Sequence, residues 1–414
     1  MTVTSERATT ARNAFQQTMV GLECVTDATG QRPDIFSQAS VEAFEHTDWQ
    51  RFGYRFTQVF EPSVLQEVAV LEGVPHDDLA WLRHRPTTAA RRLGDLVDGH
   101  AELGFVEQVN LASVLINLAR HDLAETVLTR AAARADGSRE RFEVAWLEFM
   151  ISNRREDGRT SGPAFAAMRQ AITEGGVPPH RTLDACTQAV VWYLKRQEVP
   201  AEDFHWSVRV GNAIATRQAG LDPSGLSSWY RGLAMLPAAK GLPQQTRAYM
   251  EAARSAAEET VRQQASRAYE LNLLKTYHES ALKEHMYVTK DRDRAIEAGR
   301  ALIDLDPAWS VSYGELAEGY RRFGSPREAA ELYDTAARTG PPYVGHHLMM
   351  AASCWEQVGE PEAALADYLT LTELVPGNAD VLSKGARCAR RLSHPAAATL
   401  HAALERLTGR SDGR

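Results

Sequence analysis

The sequence predicts an all-α fold: a superhelical array of antiparallel helix pairs that follows a helical N-terminal domain. Two observations predict the array. A pattern of large, small and aromatic residues recurs 35 positions further along near the C-terminus. Elsewhere, apolar residues spaced by three and four are interrupted at intervals by glycine and proline. Apolar residues spaced by three and four lie on one helix face, and glycine and proline end helices.

Two consecutive segments carry the recurring pattern most clearly. The first holds Tyr313, Leu316, Ala317, Tyr320, Gly324, Ala329, Tyr333, Ala336 and Pro341, and the second holds Leu348, Ala351, Ala352, Trp355, Gly359, Ala364, Tyr368, Leu371 and Pro376. The small residues allow two helices to approach closely. Gly324 and Gly359 fit the turn, because glycine adopts the left-handed conformation that ends a helix. Pro326 and Pro361 fit the first turn of the second helix, where a missing N–H costs nothing.

The pattern resembles the tetratricopeptide repeat (TPR), a helix-turn-helix unit of about 34 residues. The resemblance is clear over 276–408, where Ser393 replaces the turn glycine in a last, capping pair. It is degenerate over 104–275, and residues 1–100 show no repeat. About eight helix pairs are predicted between 104 and 408. The domains predicted are therefore an N-terminal helical domain (1–100), degenerate TPR-like pairs (101–275), TPR repeats with the capping pair (276–408) and a disordered tail (409–414).

Composition restricts the class of protein. The chain has 414 residues, 44% of them apolar and 24% charged, which is typical of a globular protein. We expect it in the cytoplasm and not in a membrane, since no apolar run approaches the roughly 18 residues of a membrane helix. The net charge of −8 argues against a general nucleic-acid partner. Arginine outnumbers lysine by 40 to 6, a bias typical of a GC-rich bacterial genome.

Motifs of catalysis and metal binding are missing from the sequence. It contains no GxSxG, GxxxxGK[ST], GxGxxG or HExxH segment. Four cysteines are scattered without a CxxC pair and are interpreted as reduced thiols. His278 and His285 lack a third ligand at metal-binding spacing, and the adjacent His346 and His347 point to different sides of a helix. We therefore predict no metal, no cofactor and no catalytic residue.

The TPR resemblance implies a binding groove lined by the first helix of each pair. Because two family clamp positions hold Gly314 and Glu318 here, the chaperone partners of that family are not implied. The arginines of this surface can instead pair with the carboxylates of an acidic peptide or C-terminus, although a solvated helix face is an equal alternative. The candidate groove residues are Glu318, Arg321, Arg322, His346, Met349, Glu356, Arg387, Arg390 and Arg391.

Residues 1–100 leave other functions open. They contain no lysine, and 9 arginines against 14 acidic residues give a local charge of −5. Trp49, Phe52, Phe56 and Phe60 fall at helical spacing and predict a buried helix face. Phe52, Tyr54 and Phe56 also alternate like a short strand, but we prefer the helix because no second strand is obvious. The segment Leu65–Arg83 fits two packed helices, but it also fits a DNA-binding helix-turn-helix in which His76, Asp77 and Asp78 come early in the reading helix.

Three hypotheses follow, and we prefer the first. The chain is a non-catalytic scaffold that binds a protein or peptide in its groove, either alone or as an oligomer. Alternatively, it is a transcriptional regulator with an N-terminal helix-turn-helix and a TPR sensor. A third hypothesis is an accessory protein or enzyme of a bacterial biosynthetic pathway, with a pocket near Cys24, His46, Asp48 and Trp49.

Overall fold

A computed structural model describes nine stretches of the chain. They are residues 95–117, 121–155, 160–217, 221, 223–264, 273–305, 307, 309–339 and 343–408. The predictions made for 1–94, which include the aromatic stripe, the helix-turn-helix and the N-terminal pocket, lie outside these residues. The predicted tail at 409–414 also lies outside them. Within the described residues, no helix has both the length and the apolar character needed to cross a lipid bilayer.

The described residues are almost entirely helical, and they contain no β-strand. A short 3₁₀ helix, His100–Glu102, precedes the array. The α-helices are α1 (Phe105–Asn117), α2 (His121–Ala132), α3 (Ser138–Arg154), α4 (Gly162–Glu174), α5 (Pro179–Arg196), α6 (Ala201–Arg217), α7 (Pro223–Ala239), α8 (Pro243–Gln264), α9 (Lys275–Glu284), α10 (Arg292–Leu305), α11 (Ser310–Arg322), α12 (Pro326–Thr339), α13 (Val344–Gln357), α14 (Pro361–Leu374), α15 (Ala379–Arg391) and α16 (Ala396–Thr408). The predicted all-α fold is confirmed.

Consecutive helices form antiparallel pairs, from α1 with α2 to α15 with α16. Eight pairs stand in the described part of the chain, in agreement with the sequence prediction. Each pair packs mainly on the next one, so the core runs along the array instead of forming one central body. Tyr333 and Tyr368, which occupy the same position in two repeats, are 2% and 1% exposed. The alanines of the pattern, such as Ala317 and Ala352, are fully buried between the helices.

One backbone position recurs at the turn within each of the last four pairs. Lys290, Gly324, Gly359 and Ser393 have φ values of 53°, 78°, 76° and 51°, all in the left-handed region. Gly324 and Gly359 adopt this conformation without a steric penalty. A residue with a Cβ, such as Lys290 or Ser393, adopts it at a steric cost. The repeat therefore requires the same turn in all four pairs, including the two where the sequence has no glycine.

Replacing Ser393 with glycine is expected to stabilise the capping pair by about 0.5–1 kcal/mol, because it removes the strain of a left-handed Cβ at the end of α15. Thermal melting followed by circular dichroism measures this change. Gly359→Ser is the reciprocal variant, and it should lower stability by a similar amount. A Ser393→Gly protein that melts below the wild type would contradict the assignment of strain to this turn.

The fifth pair departs from the regular repeat. After α9, residues His285–Thr289 form a single π-helical turn before Lys290 reverses the chain. A π turn accommodates an extra residue in a helix and is frequent at functional sites. Arg322 of the next pair covers this turn, since its guanidinium stacks on the Tyr287 ring at 4.3 Å. The sequence pattern places Leu282 and Met286 correctly in the core, but it does not reveal the π turn.

Candidate functional site

The first helices of the pairs are α1, α3, α5, α7, α9, α11, α13 and α15. In the middle of the array they contact one another directly, since α7 packs on α5 and on α9, and α9 packs on α11. We call the face that the first helices present the first-helix surface. Charged side chains from separate repeats meet on it, because the Lys283 ammonium on α9 reaches Glu315 on α11 at 3.0 Å.

Glu318 and Arg321, two predicted groove residues on α11, bind each other. The Arg321 guanidinium donates from Nε and Nη2 to the two carboxylate oxygens of Glu318, at 2.6 and 2.7 Å. The Tyr333 hydroxyl, from α12, also donates to Glu318 at 3.2 Å. Burial alone would raise the pKa of Glu318, but the bonds from Arg321 and Tyr333 lower it. The carboxylate is thus ionised and held in one orientation by the second helix of its own pair.

A similar arrangement stands one repeat later. The Tyr368 hydroxyl donates to Glu356 at 3.2 Å, and Arg387 of the capping pair approaches the same carboxylate at 3.6 Å. Tyr368 is the counterpart of Tyr333 35 residues earlier, but its acceptor stands at the repeat position of Arg321, three residues beyond that of Glu318. The tyrosine is repeated while the carboxylate moves by almost one helical turn. We call Glu318, Arg321, Tyr333, Glu356, Tyr368 and Arg387 the tyrosine–carboxylate ladder.

The other predicted groove residues have different environments. Arg322 is not part of the ladder. Its Nε donates to the Met286 carbonyl at 3.4 Å, and its guanidinium covers the Tyr287 ring. Met349 is half-buried, and the Lys384 ammonium lies 3.8 Å from its sulfur. Arg390 donates to the Ala386 carbonyl of its own helix. Among the described residues, neither Arg390 nor Arg391 forms an ion pair with a carboxylate.

The two adjacent histidines of α13 have opposite environments. His346 is exposed, and its ring lies edge-on to Tyr333 at 6.5 Å. His347 is 3% exposed, and burial lowers its pKa to about 3, so the ring is neutral. A Cβ at Gly314 would lie 2.5 Å from Nε2 of His347. The space beside Gly314 is therefore occupied by a histidine ring from the next repeat.

A second charged cluster lies in the middle of the first-helix surface, and the sequence reasoning missed it. The Lys283 ammonium joins Glu279 of its own helix at 2.6 Å and Glu315 of α11 at 3.0 Å. Lys195 and Arg231 lie beside this network, within reach of its charges. We call Lys195, Arg231, Glu279, Lys283 and Glu315 the central cluster.

The positions of the few lysines in the sequence could have indicated the central cluster. Three of the chain's six lysines, Lys195, Lys275 and Lys283, lie in or beside this network. Lys275 is buried, with its ammonium 4.1 Å from the centre of the Trp309 ring. In a chain that uses arginine almost everywhere, clustered lysines indicate a local requirement. We attribute it to the compact ammonium group, which fits between two carboxylates more easily than a guanidinium does.

Metal chelation has no geometric support in the part of the chain that the structure describes, since no group of three histidine, cysteine or carboxylate side chains converges there. His285 contacts the Arg247 guanidinium and the Thr289 hydroxyl, at 3.0 Å each. Burial, followed by the charge of Arg247, lowers the pKa of His285 to about 4. His278 lies beside the charges of Arg254 and Glu258 instead, so these two histidines do not share a ligand.

No protein-family model and no curated protein sequence matches the chain. Solved structures resemble it at low identity. A monomeric mutant of IFIT1 with Gppp-AAAA has a TM-score of 0.40 and 13% identity, over 94% of this chain and 85% of that chain. The human IFIT1 dimer with m7Gppp-AAAA has a TM-score of 0.38 and 13% identity, over 94% of this chain and 84% of that one. Naa15/Naa10 bound to HypK-THB has a TM-score of 0.30 and 15% identity, over 89% and 64%. These similarities indicate neither a ligand nor a partner for this chain.

Proposed function

We propose that the protein is a non-catalytic scaffold that binds a peptide or a protein segment along its first-helix surface. The tyrosine–carboxylate ladder carries this proposal. Its polar side chains stand on the first helices α11, α13 and α15, and tyrosines of the second helices hold Glu318 and Glu356 in place. A ligand that meets such preordered groups loses less conformational entropy than one that must order them.

The charge of this surface favours an acidic partner. The nine predicted groove residues include five arginines and two glutamates, whereas the whole chain has a net charge of −8. Because Arg321 and Arg387 already face Glu318 and Glu356, the arginines most available to a ligand are Arg390 and Arg391, at the exposed end of α15. Guanidinium groups bind carboxylates through two parallel hydrogen bonds. We therefore propose an acidic peptide segment or C-terminus as the ligand.

Selection of peptides from a random display library on the immobilised full chain tests this function. We expect the enriched peptides to be acidic and the Arg390→Gln/Arg391→Gln double variant to bind them at least about tenfold more weakly, as for a lost charged hydrogen bond. Fluorescence anisotropy measures the affinities at two salt concentrations. Arg406→Gln, which changes an exposed arginine on the second helix α16, is the matched control. Enriched peptides that bind the double variant as tightly as the wild type would count against this surface, and so would a selection without enrichment.

The two other functions predicted from the sequence depend on residues 1–94. Neither the helix-turn-helix at 65–83 nor the pocket near Trp49 lies within the described residues. No observation on the helix pairs favours either function, so both stay predictions.

A further inference from the structure

An open groove with a volume of about 620 Å³ lies between α10 and α12, the second helices of the fifth and sixth pairs. We call it the second-helix groove. Ile296, which is buried, and the half-buried ring of Tyr320 give it an apolar floor. Arg292 and Arg300 line it together with four carboxylates, three from α10 and Glu328 from α12. The groove therefore combines an apolar floor with side chains of both charges.

The charged groups of the second-helix groove do not neutralise one another. Neither arginine and none of the four carboxylates forms an ion pair with a described residue. Arg292 Nη2 donates instead to the Ser325 hydroxyl at 3.3 Å, and Arg300 Nη2 reaches the Tyr320 hydroxyl at 3.5 Å. Both partners are neutral. The groove thus presents cations and carboxylates separately, which suits a ligand that carries both charges.

The next pair shows what this arrangement contains when the chain completes it. Arg327, near the start of α12, reaches Glu360 at 2.7 Å. Glu360 directly precedes the proline that begins α14, just as Ser325 directly precedes the proline that begins α12. The two arginines therefore reach equivalent positions. Arg327 finds a carboxylate there, whereas Arg292 finds only a hydroxyl.

The ring beside the arginine also differs between the two pairs. Trp355 stands 35 residues after Tyr320, and its Nε1 donates to Asp334 at 3.1 Å. The Arg327 guanidinium lies 5.7 Å from the centre of the Trp355 ring. The chain thus supplies Arg327 with both an indole ring and a carboxylate. The second-helix groove has the smaller phenol ring of Tyr320 and no carboxylate bound to its arginine.

We propose that the second-helix groove binds a zwitterionic aromatic amino acid. The ring of the ligand packs on Tyr320 and Ile296, since aromatic rings pair favourably in offset or edge-on geometry. Arg292 binds the carboxylate, and Glu328 on the opposite helix binds the ammonium, both through charged hydrogen bonds. Because four carboxylates face two arginines, a ligand with negative charge alone is repelled. The site shares no residue with the tyrosine–carboxylate ladder, so it does not depend on the proposed peptide binding.

Isothermal titration calorimetry of the full chain tests the ligand class. The probes are L-tryptophan, tryptamine, which lacks the carboxylate, indole-3-propionate, which lacks the ammonium, and L-alanine, which lacks the ring. We expect L-tryptophan to bind and each of the other probes to bind at least about tenfold more weakly, as for a lost charged hydrogen bond or a lost ring contact. Tryptamine or indole-3-propionate that binds as tightly as L-tryptophan would overturn the zwitterion site, and so would L-tryptophan that does not bind.

Substitutions connect each charge of the ligand to one side chain. Arg292→Gln should weaken L-tryptophan about tenfold but leave tryptamine unchanged, and Glu328→Gln should weaken L-tryptophan but not indole-3-propionate. Arg294→Gln and Glu331→Gln are the matched controls, because both residues are exposed on the same two helices and do not line the groove. Arg292→Gln and Glu328→Gln proteins that bind L-tryptophan like the wild type would place the ligand elsewhere.

A last variant fills the groove with the residues that the next pair carries. Tyr320→Trp/Ser325→Glu introduces the counterparts Trp355 and Glu360, which should occupy the ring site and bind Arg292. We expect this double variant to melt no lower than the wild type and to lose L-tryptophan binding. If it melts lower, Arg292→Gln still decides, since Arg292 is exposed. A folded double variant that binds L-tryptophan undiminished would overturn the proposal.

Discussion

Replacing Gly211 with alanine is expected to destabilise the protein by about 3 kcal/mol, although alanine is the better helix former. Gly211 lies within α6, and the indole of Trp229 from α7 rests directly on it. An alanine Cβ would overlap three ring carbons of Trp229, Cη2 and also Cζ2 and Cζ3, the last two at 2.6 and 2.7 Å. Such distances are far below van der Waals contact, so the ring or the helix must move.

Trp229 has little freedom to move, because its side chain is fully buried between the pairs. Helix propensity alone would make Gly→Ala stabilising by up to about 1 kcal/mol. Overpacking of a well-packed core typically costs about 1–3 kcal/mol and occasionally more. The overlap involves three atoms of a rigid ring, so we expect the steric cost to exceed the gain in propensity.

Thermal melting and Trp fluorescence of the wild type and of Gly211→Ala test this expectation. Gly232→Ala in α7 is the matched control, since its Cβ would meet Thr187 Cγ2 at 3.5 Å, an ordinary contact. That variant should be neutral or slightly stabilising. The Gly211→Ala/Trp229→Leu double variant should lose less than the sum of the single changes, because the smaller side chain removes the overlap. A Gly211→Ala protein as stable as the Gly232→Ala protein would contradict the steric argument.

The helices and turns could be predicted because a repeat array is determined by local pattern. Each pair contacts mainly its neighbours, so the spacing of apolar residues and the turn position are sufficient. For example, Gly324 and Gly359, which the sequence predicts at turns, have φ values of 78° and 76°. The sequence also anticipated the exceptional turn at Ser393, where φ is 51°.

Side-chain partners could not be predicted in the same way. The contact between Gly211 and Trp229 joins two pairs at an offset of 18 residues, for which no periodic signal exists. The pairing of Arg321 with Glu318 was open to prediction, because residues three apart on a helix are neighbours. The central cluster depends instead on how α5, α7, α9 and α11 pack on one another, and helical periodicity carries no information about that packing.

The carboxyl pair Asp334–Asp367 is expected to make stability fall as pH rises from about 4 to 8. Asp334 lies on α12 and Asp367 on α14, the second helices of successive pairs. Each aspartate has one buried oxygen that receives no hydrogen bond from a donor among the described residues. These oxygens are Oδ1 of Asp334 and Oδ2 of Asp367. Trp355 Nε1 donates to the remaining Asp334 oxygen at 3.1 Å. A proton on Asp367 can form the hydrogen bond that joins the two groups.

Burial, followed by the negative charge of Asp334, raises the pKa of Asp367 to about 8. In the unfolded chain the pKa of an aspartate is about 3.9. Between these values the folded protein holds a proton that the unfolded chain has lost. Stability is therefore greatest below about pH 4 and declines until Asp367 ionises near pH 8.

Asp367→Asn should remove this dependence, because the amide donates a hydrogen bond to Asp334 at every pH. We expect the variant to exceed the wild type by roughly 2 kcal/mol or more at pH 9 and to match it near pH 4. Melting curves between pH 4 and 9 measure the difference. Since repeat arrays can unfold in parts, hydrogen exchange of the α12 and α14 amides locates the effect.

Glu362→Gln provides the matched control, as it removes an exposed carboxylate from the first turn of α14. Its stability should follow the wild-type pH curve. If Asp367→Asn also runs parallel to the wild type, the two aspartates do not share a proton. A gain at high pH in Asp367→Asn alone, with slower exchange in α12 and α14, assigns the pH dependence of this interface to one shared proton.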